Sequence, residues 1–219
     1  MIQTTYIQWL ATVGLTVGTG AIALFPLPGI ADDTPTPPPQ PGITRPSDAA
    51  CLITPVADGD EVAQVWSDRP FFLWRNYPRG AMRTVEVQSR DAQFISFTYT
   101  LFRATVSGET QISYVGTSLE RGQVYQWVAY SDTMSAAQVI PFEVMSDDEY
   151  EQVAIELEAA EQEWQTAGLL PEEQVLERIT FFAERGLWSD AMREAFTVPN
   201  PSEELLDYQE LVMLSACSG

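Results

Sequence analysis

Gln93-Phe94-Ile95-Ser96-Phe97-Thr98-Tyr99-Thr100-Leu101-Phe102-Arg103 decides how this chain is read. Ile95, Phe97, Tyr99 and Leu101 alternate with Ser96, Thr98 and Thr100, and a period of two marks a strand with one buried face. Residues 83–88 (RTVEVQ) alternate in the same way, and Ser89-Arg90-Asp91 between the two segments reads as a hairpin connection. Residues 70–77 (PFFLWRNY) are apolar on both faces, which predicts a strand covered on both sides. Residues 124–130 (VYQWVAY) put Tyr125 and Trp127 on one face and Val124, Val128 and Tyr130 on the other. Residues 138–145 form a last strand, in which Pro141 predicts an edge position or a bulge. Weaker strands fit 52–55, 61–66 and 111–115, with turn signals at Asp58-Gly59-Asp60, Pro78-Arg79-Gly80, Ser107-Gly108 and Arg121-Gly122. Six to eight short strands over 51–145 predict an antiparallel β-sandwich of immunoglobulin or fibronectin type. Its expected core includes Trp74, Val85, Phe97, Leu101 and Trp127. The Cys…Trp…Cys pattern of antibody domains is absent, because the block holds no second cysteine.

Residues 1–31 have the composition of a secretory signal peptide. The run from Trp9 to Phe25 is apolar, Gly29-Ile30-Ala31 supplies small residues for a cleavage site, and Asp32-Asp33 follows. The first nine residues carry neither Lys nor Arg, so an uncleaved N-terminal membrane anchor is the alternative. Residues 32–50 form a Pro-rich linker with six prolines, an extended spacer with no core of its own. The protein is expected to be secreted or periplasmic, with no membrane association after cleavage.

Composition excludes several chemistries. The chain carries 31 acidic and 11 basic residues, the basic ones are all Arg, and there is no His. The imbalance is uneven: 13 acids against 8 arginines up to residue 145, a net of −5, and 18 against 3 beyond it, a net of −15. Such a surface repels phosphate backbones and anionic lipid, so no nucleic-acid partner is expected. Without His there is no Ser-His-Asp triad, Cys-His dyad or imidazole metal site. The carboxylates fall in no recognisable catalytic motif, so the chain is read as a non-enzyme needing no cofactor. Asp58-Gly59-Asp60-Glu61 lacks the spacing of a calcium loop and is read as a turn. Two cysteines, Cys51 and Cys217, are candidates to pair in an oxidising compartment, and the sequence leaves their pairing open.

Residues 146–219 read as an acidic helical tail. Ser146-Asp147-Asp148-Glu149 is a capping box that opens a helix to about Thr166, with Tyr150, Val153, Leu157, Ala160 and Trp164 as its apolar stripe. Eight acids and no base lie between Asp147 and Glu163, so this helix should depend on docking for its stability. Pro171 starts a second helix that turns Val175, Ile179, Phe182 and Ala183 inward and ends at Gly186. Trp188 to Phe196 is a third helix, and a fourth follows Asn200-Pro201, with Leu205, Tyr208, Leu211 and Val212 apolar. Gly186-Leu187-Trp188-Ser189-Asp190-Ala191 has the G-x-aromatic-x-x-A shape of tetratricopeptide hairpins, which predicts helices crossing at Ala191 with Trp188 in the groove between them. One hairpin is not a solenoid. The tail is expected to hold a core separate from that of the strands.

The order of motifs resembles the cyanobacterial secreted proteins grouped as domain of unknown function 928. Those motifs are Leu52-Ile53-Thr54-Pro55-Val56, Arg69-Pro70-Phe71-Phe72-Leu73-Trp74, Leu119-Glu120-Arg121-Gly122-Gln123-Val124-Tyr125-Gln126-Trp127 and Ala183-Glu184-Arg185-Gly186-Leu187-Trp188-Ser189-Asp190-Ala191-Met192. The resemblance spans about residues 51–214 and implies a fold and a compartment, not an activity. Ser131-Asp132 stands where that family has Cys-Asp, which implies that Cys51 lacks its usual partner. Val139-Ile140-Pro141-Phe142-Glu143 replaces the expected Gly-Trp-Ile-x-Arg pattern. Separately, Glu210 to Gly219 (ELVMLSACSG) is similar to the cysteine-nucleophile strand of caspase-like CHAT proteases, which implies Cys217 as a nucleophile. Those enzymes need a histidine, and this chain has none. A terminal helix ending in a small apolar turn is the alternative.

The expected function is therefore a protein-interaction or structural module acting on another extracytoplasmic protein. A glycan- or divalent-cation-binding module is the alternative, with Trp66, Trp74, Tyr77, Tyr125, Trp127 and Tyr130 available for sugar stacking. A cysteine-protease fragment is a third class.

Overall fold

Among the described residues, eight strands and four helices follow one another in the order the sequence predicts, an α+β arrangement with the helices last. The computed structural model describes residues 50–57, 61–78, 80–89, 99–132 and 137–217. The strands are β1 (Cys51–Thr54), β2 (Ala63–Val65), β3 (Phe71–Arg75), β4 (Met82–Ser89), β5 (Thr100–Thr105), β6 (Gln111–Ser113), β7 (Val124–Ser131) and β8 (Gln138–Val144). The helices are α1 (Asp147–Ala167), α2 (Pro171–Glu184), α3 (Trp188–Phe196) and α4 (Glu203–Ser215). The predicted signal peptide and most of the linker lie outside the described residues, as do Asp58, Gly59, Asp60 and Phe97. No helix among the described residues is long and apolar enough to cross a membrane.

One sheet has three antiparallel strands in the order β1-β3-β6, and the other has five in the order β2-β8-β7-β4-β5. The larger sheet is mixed and not purely antiparallel, because β2 runs parallel to β8 with Ala63 opposite Phe142. The reason is a change of sheet: β1 pairs with β3, and the chain then crosses to the edge of the other sheet. This also locates Pro141. β8 is covered by β2 only from Phe142 onward, so Pro141 sits one residue outside the paired segment, where its missing N–H costs no ladder bond.

Strand β3 carries the architecture. Phe72 and Trp74 point into a core shared with Leu52, Val85, Val87, Tyr125, Trp127 and Phe142, which fills the space between the sheets. Phe72 lies against Trp127 with ring centroids 5.1 Å apart. Phe71 and Leu73 point the other way, into a core that they share with Cys51 and Ile53 of β1 and with Ile179, Phe182, Leu187, Ala191, Met192, Leu205 and Val212 of the helices. The two-sided apolarity of 70–77 thus has its cause: a sheet covers one face and helices cover the other. The helical core is not separate from the strands, because the apolar stripes of α2, α3 and α4 have the outer face of the small sheet as their counterpart. All described residues belong to one compact unit.

Strand β5 departs from expectation. Tyr99 is 72% exposed and Leu101 43% exposed, whereas Phe102 packs against the inter-sheet core. The register explains the inversion. Val87 faces Phe102 but Gln88 faces Thr100, so Leu101 is an extra residue in a bulge that exchanges the two faces of the strand. Trp74, Val85 and Trp127 are fully buried, as predicted.

Candidate functional site

The Gly186–Ala191 hairpin is the point at which the helices meet the strands. Gly186 has φ 73° in the left-handed region. Its N–H reaches Ala183 O at 3.0 Å and the Leu187 N–H reaches Phe182 O at 2.9 Å, the paired closing bonds of a helix C-terminus. That turn redirects the chain into α3, which packs on β1, β2 and β3. Ala191 is fully buried where α2 and α3 come together, as its small size predicts. Trp188 is partly buried, packs against the helical core and also lines an outer cleft, while Leu187 beside it is fully buried.

Three polar residues of α3 bind the strand layer. Ser189 Oγ accepts the Phe71 N–H at 3.0 Å and donates to Phe71 O at 2.9 Å, completing the backbone of β3. Asp190 is fully buried; its carboxylate accepts the N–H of Trp66 at 2.8 Å and of Ser67 at 3.1 Å, and Arg193 stands 3.4 Å away. Burial pushes the Asp190 carboxyl above its ordinary value, against the pull of Arg193 and the two N–H groups. Arg193 also donates to Arg69 O. None of these polar roles was read from the sequence. The available signal was one acid embedded in Leu187-Trp188-Ser189-Asp190-Ala191-Met192, where every inward neighbour is apolar or small.

The first turn of α1 is held by a stack of rings. Trp66 lies nearly parallel to Tyr150 at 5.0 Å, and the Arg121 guanidinium lies over the Tyr150 ring at 3.4 Å. Arg121 also donates to Trp66 O at 3.1 Å and faces Asp147 at 3.6 Å. The capping box forms as predicted: the Ser146 hydroxyl caps the Glu149 N–H, and Glu149 accepts the Ser146 N–H at 3.0 Å. The Ser146 hydroxyl, donating to the carboxylate at 2.6 Å, and then the Ser146 N–H hold the Glu149 carboxyl below its usual range.

Cys51 and Cys217 are joined in a disulfide with Cα atoms 6.1 Å apart. The bond ties the start of β1 to the residues just beyond α4. Cys51 thus has a partner on the helical side, not in the strand region where the family resemblance places one. The segment compared with a nucleophile strand is helical through Ser215, and the Cys217 sulfur is bonded to Cys51 and is no thiolate. Tyr208, buried on the inner side of α4, has its hydroxyl pushed up to about 12 by burial.

A cleft of about 420 Å³ opens beside the hairpin, lined by Thr54, Pro55, Glu61, Arg185, Gly186 and Trp188. The Arg185 guanidinium, on the exposed side of the turn, covers the Phe181 ring at 3.6 Å and bonds Glu156 at 2.9 Å. The aromatics considered for sugar stacking are dispersed. Trp74, Tyr125 and Trp127 are in the inter-sheet core, Trp66 is stacked on Tyr150, the Tyr77 hydroxyl donates to Cys217 O at 3.4 Å, and Tyr130 is exposed by itself among them. No group of residues that could hold a metal ion occurs among the described residues. No protein-family model matches the chain, and no curated protein matches it.

Proposed function

We propose that this protein is a non-enzymatic, extracytoplasmic interaction or structural module in which an immunoglobulin-like pair of sheets is backed by a tetratricopeptide-like helical hairpin. The observation that carries the reading is the use made of the reactive groups at the hairpin. Ser189, Asp190 and Cys217 bond the helical layer to the strands and Arg193 reaches the Arg69 carbonyl before β3, so the chemistry of the junction is spent on rigidity. Rigid presentation of a surface is what a binding scaffold requires.

The immunoglobulin comparison is supported by a pair of sheets of three and five short strands whose inner faces share one core. Tyr125, early in β7, pairs its hydroxyl with the Glu120 N–H at 2.8 Å, the arrangement of a tyrosine corner. The Phe72–Trp127 contact joins β3 of one sheet to β7 of the other across the shared core, the kind of link that an inter-sheet disulfide makes in antibody domains. The hairpin comparison is supported by Gly186 and the fully buried Ala191. The order of motifs resembling domain of unknown function 928, the leader composition and the disulfide favour an oxidising, extracytoplasmic compartment.

The test is affinity purification of the exported protein after mild cross-linking in the extracytoplasmic fraction. A stoichiometric protein partner is expected. Recovery of the protein alone, together with turnover of a glycan or peptide by the purified chain, would replace this reading with an enzymatic one.

A further inference from the structure

The geometry points to the outer face of α4 as a docking surface for a basic amphipathic segment of another protein, an inference that rests on the module reading above and names its partner chemistry. Helix α4 is apolar on two sides. Leu205, Tyr208, Val212 and Ala216 are buried in the core shared with the small sheet. Leu214 lies opposite them and Leu206 and Leu211 lie on the two flanks of the solvent half; the three are 45%, 50% and 46% exposed. Apolar residues on the solvent half of a helix as well as on its core face are the pattern of an element covered on both sides. Strand β3 shows the same logic completed, since both of its apolar faces are covered.

Charge selects the occupant. Glu203, Asp207 and Glu210 share the outer face with the three leucines, and α4 contains no basic residue. The arginines of the helical layer are already committed: Arg178 to Glu161 and Glu194, Arg185 to Glu156, Arg193 to Asp190. Among the described residues, none of the α4 acids takes part in an ion pair. A second copy presents the same acidic α4 face, on a chain of net charge −20, and is repelled. Residues 1–49 of this chain carry three acids and one Arg, so they too lack the complementary charge. A segment with leucines or similar residues at helical spacing, flanked by Arg or Lys, satisfies both the apolar and the ionic halves of the face.

The test titrates the full chain with a synthetic amphipathic peptide that carries leucines at i, i+3 and i+7 between arginines, and with a control in which glutamates replace the arginines. The basic peptide should bind and the acidic one should not. Leu206→Ser with Leu211→Ser should weaken binding at least tenfold while leaving the circular dichroism spectrum unchanged, as exposed positions allow. Glu203→Gln, Asp207→Asn and Glu210→Gln together should weaken it at least tenfold and flatten its salt dependence. Equal binding by the leucine variant would mean diffuse attraction to an acidic surface and would overturn the site. A dimer in sedimentation that the leucine variant loses would identify a second copy as the occupant, and binding that emerges only after cleavage within 32–49 would identify the leader segment; either result overturns the proposal. A natural partner retained by the leucine variant would overturn the α4 site and leave the module reading intact, whereas absence of any natural partner alongside intact peptide binding would remove that reading and keep the surface.

Discussion

The Asp190 carboxylate accepts the Trp66 backbone N–H at 2.8 Å, across 124 residues of sequence, and so fixes the loop after β2 to the start of α3. The same carboxylate takes the Ser67 N–H. Asp190→Ala should destabilise the protein by about 2–4 kcal/mol in urea denaturation, because it leaves two N–H groups without their acceptor. Asp190→Asn should cost less, since its side-chain carbonyl still accepts one of them. A loss below about 0.5 kcal/mol for the alanine variant would show that water replaces the carboxylate fully.

The pH dependence of that pair of variants carries a sign. The folded state raises the Asp190 pKa above the unfolded value, so the folded protein binds this proton more readily. Wild-type stability therefore gains from this group as pH falls from neutrality through its folded pKa toward the ordinary Asp value near ~4. Asp190→Asn has no such group. The stability difference between wild type and Asp190→Asn should shift in favour of wild type as pH is lowered over that window. A difference constant from pH 7 to pH 4 would contradict the buried-carboxylate account.

Ala191→Leu should cost about 1–3 kcal/mol by overpacking. Because Ala191 belongs to a core containing Phe71, Leu73 and Ile53, the sheet and helix signals should be lost together on heating. Loss of the far-ultraviolet helix signal ahead of the tryptophan signal from Trp74 and Trp127 would show that the layers unfold separately.

Gly186→Ala tests the backbone alone, since a Cβ there meets nothing within 4 Å and φ is +73°. A cost of about 1 kcal/mol is expected from the left-handed conformation. Gly186→Asn should recover part of it. A cost above about 3 kcal/mol would reveal crowding from the cleft beside the turn.

The arrangement of strands was legible because each exposes its period over several residues, and β3 announced its two covers by being apolar on both faces. What the period could not show was the identity of the second cover. Residues 71 and 73 needed a partner, and the stripes of α2 and α3 needed one too, but nothing local connects residues more than a hundred positions apart. The bulge at Leu101 was invisible for a related reason: one extra residue inverts a face without altering the alternation on either side. The hairpin was readable from Gly186 and Ala191, which are constrained by backbone and by space. Trp188 packs against the helical core, but its aromatic character alone did not announce the cleft that it also lines. Asp190 was hidden among 18 acids of the tail, most of which face solvent.

Reduction of the Cys51–Cys217 bond, which closes a sequence separation of 166 residues, should lower stability by about 5 kcal/mol on the chain-entropy account. Amide exchange should accelerate first at 212–216, next to the released cysteine.

That bond also changes how the fold carries load. Residue 51 opens the first strand and residue 217 follows the last helix, so the covalent bridge joins entry to exit. Tension applied between the chain before Cys51 and the chain after Cys217 passes through two sulfur atoms and bypasses the sheets and helices. An oxidised molecule pulled from these two directions extends only by its flanking segments, and mechanical unfolding of the interior becomes possible only after a reductant opens the bridge.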